Sequence, residues 1–189
     1  MRLRPNSAEC ESRISSCHAI ADTPNSGAAL KRLDYRTDTG GWDERFRASV
    51  AAASRDCALG TCVGGDLNVA VEDADFFNPE ERRMAKQAGT TPEERASLRR
   101  AFVPPLGLTD GFRLSHPHAR GCYTYWSQRA RNRPRNRGLR LDYFLLSGSL
   151  VASKALMDVQ HLDQLHGSDH CPIVMELCTK RLFGGASSE

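Results

Sequence analysis

The chain contains no hydrophobic run approaching the ~20 residues needed to cross a bilayer, and its N-terminus has no continuous apolar segment of the kind a secretory signal requires. Its net charge is only +3, too small to argue for a polyanionic partner from the total alone. The seven cysteines, Cys10, Cys17, Cys57, Cys62, Cys122, Cys171 and Cys178, form an odd set with no C-x-x-C pair and no recurring spacing. That pattern argues against a disulfide framework or a zinc site and favours a reducing, intracellular setting. Arg2, Arg4 and Arg13 among serines have the look of an organelle-targeting leader, a reading that Glu9 and Glu11 oppose. What is present is ordinary: 189 residues, 40% hydrophobic and 26% charged, enough for one domain.

Residues 1–20 are polar and without period, and are expected to be a disordered or unrelated leader. Order is expected to begin at the turn signal Pro24-Asn25-Ser26-Gly27. Trp42, Phe46, Val50 and Ala53 fall at helical spacing, and Asp43 and Glu44 stand in the first turn where the helix dipole favours acids, which predicts a helix over 41–55. Cys62-Val63 lead a short buried strand into Gly65-Asp66-Leu67-Asn68, where an extended backbone would turn Asp66 and Asn68 to one face. Residues 71–90 are acidic and irregular. Thr91-Pro92-Glu93-Glu94 then supplies an N-cap, a first-turn proline and a capping-box glutamate for a helix running to Phe102. Strands are expected over 122–126, 139–147, 156–161 and 171–178, with 178–189 a flexible tail. Helices in the first half and strands in the second indicate an α/β sandwich.

Three short segments carry chemistry: Gly65-Asp66-Leu67-Asn68, Leu141-Asp142-Tyr143 and Ser168-Asp169-His170. Each alone is compatible with a turn or an exposed strand face. Together they offer carboxylates, a side-chain amide and an imidazole. This is the oxygen-rich set that a hard cation such as Mg²⁺ shares with a substrate phosphate, and it suits phosphate ester cleavage. Asp142, ionised within the apolar strand Leu139 to Leu146, would be costly to bury without a partner, and His170 is the natural one. A carboxylate on one imidazole nitrogen fixes the tautomer and favours the cationic ring, aiming the other nitrogen at a phosphate oxygen. Further along, Arg129, Arg131, Arg133, Arg135, Arg137 and Arg140 occupy twelve residues without an acid, just after Tyr123, Tyr125 and Trp126. This run reads either as a DNA-facing loop with an aromatic wall or as a solvated loop over core aromatics.

Taken in order, these segments resemble the exonuclease III type of apurinic/apyrimidinic endonuclease, within the endonuclease/exonuclease/phosphatase superfamily. The resemblance runs over about 21–177 through Thr23-Pro24-Asn25-Ser26-Gly27, Arg32-Leu33-Asp34-Tyr35-Arg36, Trp42-Asp43, Gly65-Asp66-Leu67-Asn68-Val69-Ala70, Asn78-Pro79, Thr91-Pro92-Glu93-Glu94-Arg95, Tyr123-Thr124-Tyr125-Trp126, Arg140-Leu141-Asp142-Tyr143-Phe144 and Gly167-Ser168-Asp169-His170-Cys171-Pro172. It implies part of a four-layer α/β sandwich and Mg²⁺-dependent (alternatively Mn²⁺-dependent) hydrolysis of duplex DNA on the 5′ side of an abasic site, by a monomer when the domain is complete. In that scheme Asp66 handles a proton, Asn68 places the water, and His170 contacts the scissile phosphate while Asp142 orients it. Asp66, Asn68, Asp169 and His170 form the metal set, and Asn25, Trp126, Arg129, Arg131, Arg133 and Arg135 hold phosphate and DNA. The nucleus is the implied compartment, with an organelle as the alternative.

The family also carries two metal-site segments, one with an asparagine and one with a glutamate, ahead of the Pro-Asn-Ser-Gly region. Residues 1–20 contain neither, so the chain is expected to represent the C-terminal portion of the domain. Asp22 occupies the place of a phosphate-binding tyrosine, and Leu139 that of a tryptophan common in the eukaryotic branch. Two other functions compete: a DNA-binding remnant without catalysis, and another phosphodiesterase of the superfamily.

Overall fold

The computed structural model describes residues 24–55, 57 and 59–183. The expected leader and Asp22 lie outside them. A short helix α1 (Leu33–Thr37) leads to α2 (Trp42–Arg55), which starts one residue inside the expected range. Glu44 accepts a bond from the Gly40 N–H at 2.7 Å, which satisfies a donor that would otherwise be orphaned beside the helix start. Phe46 and Val50 bury the apolar stripe of α2 against β1 (Cys62–Asp66) and the segment that follows it. Helix α3 (Pro92–Arg99) has the capping box read from the sequence: the Thr91 hydroxyl accepts from Glu94 N at 3.2 Å, and Glu94 Oε2 accepts from Thr91 N at 3.2 Å. The helix ends three residues before Phe102, as residues 100–102 close into tighter turns, with Ala101 N bonded to Leu98 O and Phe102 N to Arg99 O.

The second half supplies β2 (Thr109–Asp110), α4 (Gly111–Ser115), β3 (Asp142–Leu146), α5 (Gly148–Ala152), β4 (Leu156–His161), β5 (Ile173–Leu177) and α6 (Thr179–Leu182). Two antiparallel sheets result, one in the order β1-β3-β2 and the other pairing β4 with β5. Cys62 pairs with Leu146 and, four residues on, Asp66 lies directly opposite Asp142. Behind this sheet Phe46, Val50, Val63, Leu67, Val69, Leu98, Tyr143 and Leu145 form the main core. Burying each such side chain contributes about 1.5–3 kcal/mol relative to exposure. Tyr143 is tied in through its hydroxyl, which donates to Val69 O at 2.6 Å and accepts from Val71 N at 3.3 Å.

Three expectations need correction. Residues 122–126 do not form a strand. They are wedged between two neighbours, Tyr125 bridging both Leu139 and His170, with Trp126 N bonded to Asp169 O and Cys171 N to Thr124 O at 2.8 Å each. Continuous pairing over 139–147 shrinks to 142–146, because the Thr124 hydroxyl takes the Leu141 and Asp142 N–H groups at 2.9 and 3.1 Å. Residues 179–182 of the expected tail are helical, and Arg181 donates to Lys154 O at 2.9 Å. Among the described residues, no helix is long and apolar enough to cross a membrane.

Candidate active site

The end of the β1-β3 pair sets two carboxylates face to face, Asp66 opposite Asp142, an arrangement that is repulsive between two charges. The wedge at 122–126 delivers the compensating group. Because Tyr125 pairs with both Leu139 and His170, the segment before β5 is drawn alongside β3. His170 Nδ1 then meets Asp142 Oδ2 at 2.8 Å, and Nε2 lies 3.9 Å from Asp66 Oδ2. Tyr125 leans on the imidazole at 5.1 Å between ring centroids.

Electrostatics follow from this packing. Burial pushes the Asp66 carboxyl up to about 6; the Asn68 N–H and His170 oppose the rise, while the charge of Asp142 adds to it. Burial alone would lower the His170 imidazole, but the hydrogen bond and charge of Asp142, helped by Asp66 and Asp169, win and leave it raised. A cationic His170 has Nδ1–H donating to Asp142 and a second N–H free to donate towards an anion.

Asn68 does not reach the site by strand alternation. It stands beyond β1 with φ 53°, in the left-handed region, and its N–H donates to Asp66 Oδ1 at 2.7 Å. This local turn, a habit of Asx side chains, carries the amide to the pocket. Asn25 meets it from the opposite loop, donating through Nδ2 to Asn68 Oδ1 at 3.2 Å while its own Oδ1 accepts from Gly27 N at 2.7 Å.

His170, Asn68 and Asn25 open into a cavity of about 840 Å³ that is also lined by Tyr125, Asp169, Arg83, Arg135 and Arg137. Asp66, Asp142 and His170 offer ligand atoms within 4.8 Å of one another, a donor set able to hold a cation and relieve the opposed carboxylates. Asp169 lines the cavity without belonging to that tight group, its Oδ1 3.4 Å from the Ser168 hydroxyl. Once protonated, His170 has no free lone pair for a metal, and the carboxylate oxygens of Asp66 and Asp142 are what remains of that set for a hard cation. Of the other histidines, His161 stacks on Phe112 at 4.1 Å and is pushed down to about 4 by burial, and His116 bonds Asp158 at 2.7 Å. Neither lines the cavity.

The arginine run splits three ways. Arg129, Arg131, Arg135 and Arg137 are exposed, and the last two face the cavity. Arg133 turns away: it donates to Asp163 O at 2.8 Å, Leu165 O at 2.5 Å and Ser168 O at 3.1 Å, and caps the Trp126 ring at 4.7 Å. It braces the loop that carries His170. Arg140 is fully buried, its Nε and Nη2 bonded to Asp75 at 2.9 and 3.0 Å and Nη2 also to Asp110 at 2.6 Å. Trp126, expected in the aromatic wall, is 3% exposed and donates through Nε1 to Asn136 Oδ1 at 3.0 Å. Tyr125 takes the wall position instead. The backbone of Gly138 passes so close that a Cβ there would lie 2.5 Å from Tyr123 Cβ, which is why a glycine stands between Arg137 and Leu139. Sequence reasoning misses Arg83, which has no motif around it, and Arg36, which lies inside a recognised segment that assigns it no role.

Known proteins share this chain's sequence and fold over most of its length. Residues 13–170 match the Endonuclease/Exonuclease/phosphatase family. The chain is 41% identical over 157 residues to the DNA repair nuclease APEX1 of Danio rerio, covering 83% of this chain and 47% of that protein. It superposes on the crystal structure of the AP endonuclease LMAP from Leishmania major with TM-score 0.75 and 35% identity, covering 82% and 48% of the two chains. A 3′ phosphatase, NExo from Neisseria, bound to product DNA hairpin, matches with TM-score 0.68 and 26% identity over 82% of this chain and 57% of that one. The chain thus spans about half the length of the curated relative it matches. With the family match extending over most of its residues, the chain belongs to the endonuclease/exonuclease/phosphatase family.

Proposed function

We propose that this chain carries the phosphate-cleaving half of a DNA-(apurinic or apyrimidinic site) endonuclease of base excision repair, hydrolysing the backbone 5′ to an abasic site with Mg²⁺, or Mn²⁺ in its place. The observation that carries the reading is the Asp142–His170–Asp66 arrangement, with 2.8 and 3.9 Å separations, whose imidazole lines a cavity shared with Arg83, Arg135 and Arg137. His170, held by Asp142, donates to a non-bridging phosphate oxygen where negative charge develops. In the metal-free site burial lifts Asp66 to about 6, a value from which it can exchange a proton near neutrality, and a bound cation would hold it ionised. Asn68 and Asn25, bonded to each other, present amide donors to water and phosphate. A bound divalent cation would supply Lewis-acid stabilisation of the phosphate and leaving oxygen, held by Asp66, Asn68 and Asp169. Arg135 and Arg137 hold the flanking backbone, and the half-buried Tyr125 beside Leu139 and Leu141 forms the apolar wall of the pocket.

The test is nicking of a duplex containing one abasic-site analogue, in Mg²⁺ and in chelator. Cleavage should require the metal and fall by ~10²–10³-fold in His170→Ala and Asp66→Ala. A chain that binds the duplex without nicking it at high protein concentration is a DNA-binding module, and the catalytic proposal fails.

A further inference from the structure

We propose that Arg36 is a positioning residue that fixes the Asn25 and Asn68 amides relative to each other by gripping the backbone of both loops with one guanidinium. The inference rests on the function proposed above. Arg36 is fully buried, yet it uses none of its donors on a side chain of the pocket. Nη1 donates to Pro24 O at 2.9 Å and Nη2 to Leu67 O at 2.6 Å. Each carbonyl belongs to the peptide group immediately preceding a site asparagine. The guanidinium is held from behind by Asp43 in the first turn of α2, with Nε 3.1 Å from Oδ1, and lies 5.8 Å from the centre of the Trp42 ring.

The two loops are 43 residues apart in the chain and touch across the pocket through the 3.2 Å amide–amide contact. That contact requires the two loops to keep a fixed separation, with Asn68 in the left-handed conformation (φ 53°) that asparagine tolerates better than most residues. A planar fork with fixed donor angles meets this need, since it satisfies two carbonyls at a set separation. A lysine would keep the charge opposite Asp43 but, with a single ammonium, could not reproduce the fork. Arg36 therefore acts through the asparagines and touches no substrate.

The discriminating variants are Arg36→Lys and Arg36→Gln, with Leu150→Ala, a truncation of a buried side chain in α5 that neither lines the cavity nor belongs to the core around Leu67, as the stability control. On the full chain, well below each melting temperature, Arg36→Lys should lower kcat for the abasic duplex by roughly 10²-fold, the order expected of a misplaced site, while KM changes little. Leu150→Ala should lose stability and keep its kcat. The Asn25 and Asn68 side-chain amide signals should move in nuclear magnetic resonance spectra of Arg36→Lys, or of Arg36→Gln if the lysine variant does not fold. Wild-type kcat and unmoved amide signals in Arg36→Lys would reduce Arg36 to a counter-charge for Asp43 and overturn the inference. An equal kcat loss in Leu150→Ala would overturn it as well. If the wild-type chain does not nick DNA, the proposed function fails while the amide signals still decide the role of Arg36.

Discussion

Arg137 and Arg140 stand three residues apart in one acid-free run, yet the first is exposed at the cavity and the second is fully buried. The difference lies in their partners. Asp75 and Asp110 reach Arg140 from 65 and 30 residues upstream, and the Arg140 guanidinium is stacked 4.3 Å from the centre of the Tyr143 ring. Arg137 meets the ring of Phe77 at 5.3 Å and keeps its charge available. One residue type thus builds the platform under the site and the basic rim above it, and only long-range carboxylates decide which arginine does which.

The largest effect is expected at Arg140. Arg140→Met would leave Asp75, itself fully buried, facing only Arg113, and removal of one partner from a buried ion pair costs about 3–5 kcal/mol. Urea denaturation should show that loss, and a loss below about 1 kcal/mol, the range of an exposed pair, would remove Arg140 from the platform. Acid sharpens the same point. Burial pushes the Asp75 carboxyl up, but Arg140 and Arg113 outweigh it and hold the group below the ordinary carboxylate range. Its stabilisation is therefore present above the unfolded carboxylate pKa and is lost as pH falls through the lower folded value. In Arg140→Met acid unfolding should begin at higher pH.

Smaller effects belong to the rim. Replacing Arg135 or Arg137 by Ala should reduce the slope of log K against log salt for duplex binding by about 0.9 for each phosphate that the guanidinium neutralises, with stability nearly unchanged. Arg133→Ala should do the reverse, because its donors go to the carbonyls of residues 163, 165 and 168. Fluorescence anisotropy over a salt series separates the two outcomes, and an unaltered slope in Arg137→Ala would take that side chain out of DNA contact. A proton should also compete with the cation: since burial lifts Asp66 to about 6, divalent-ion affinity should weaken as pH drops below that value. Calorimetric titration on either side of that value checks the direction, and equal affinities would exclude Asp66 as a ligand.

What the sequence makes legible is local. Thr91, Pro92 and Glu94 announce a helix start through side-chain-to-backbone bonds three residues long, and β4 keeps the bounds its pattern predicts. The pairing of Asp142 with His170 is readable too, because a carboxylate in an apolar strand requires a partner. Asn68 reaches the pocket for a different reason from the one its spacing suggests, a left-handed turn in place of strand alternation. Trp126, Arg133 and Arg140 look like rim residues from their neighbours in sequence, whereas their burial or bracing depends on Asn136, on the 163–168 loop and on Asp75. Arg36 stays hidden because its partners are carbonyls, which no residue pattern displays.

Convergence of Asp66, Asp142 and His170 is what gives the site its chemistry, and the His170 imidazole reports it directly. In metal-free protein, its nuclear magnetic resonance titration should give a pKa above the ordinary 6.5, falling when Asp142 is replaced by Asn. A His170 that titrates at or below 6.5 and ignores Asp142→Asn would contradict the site described.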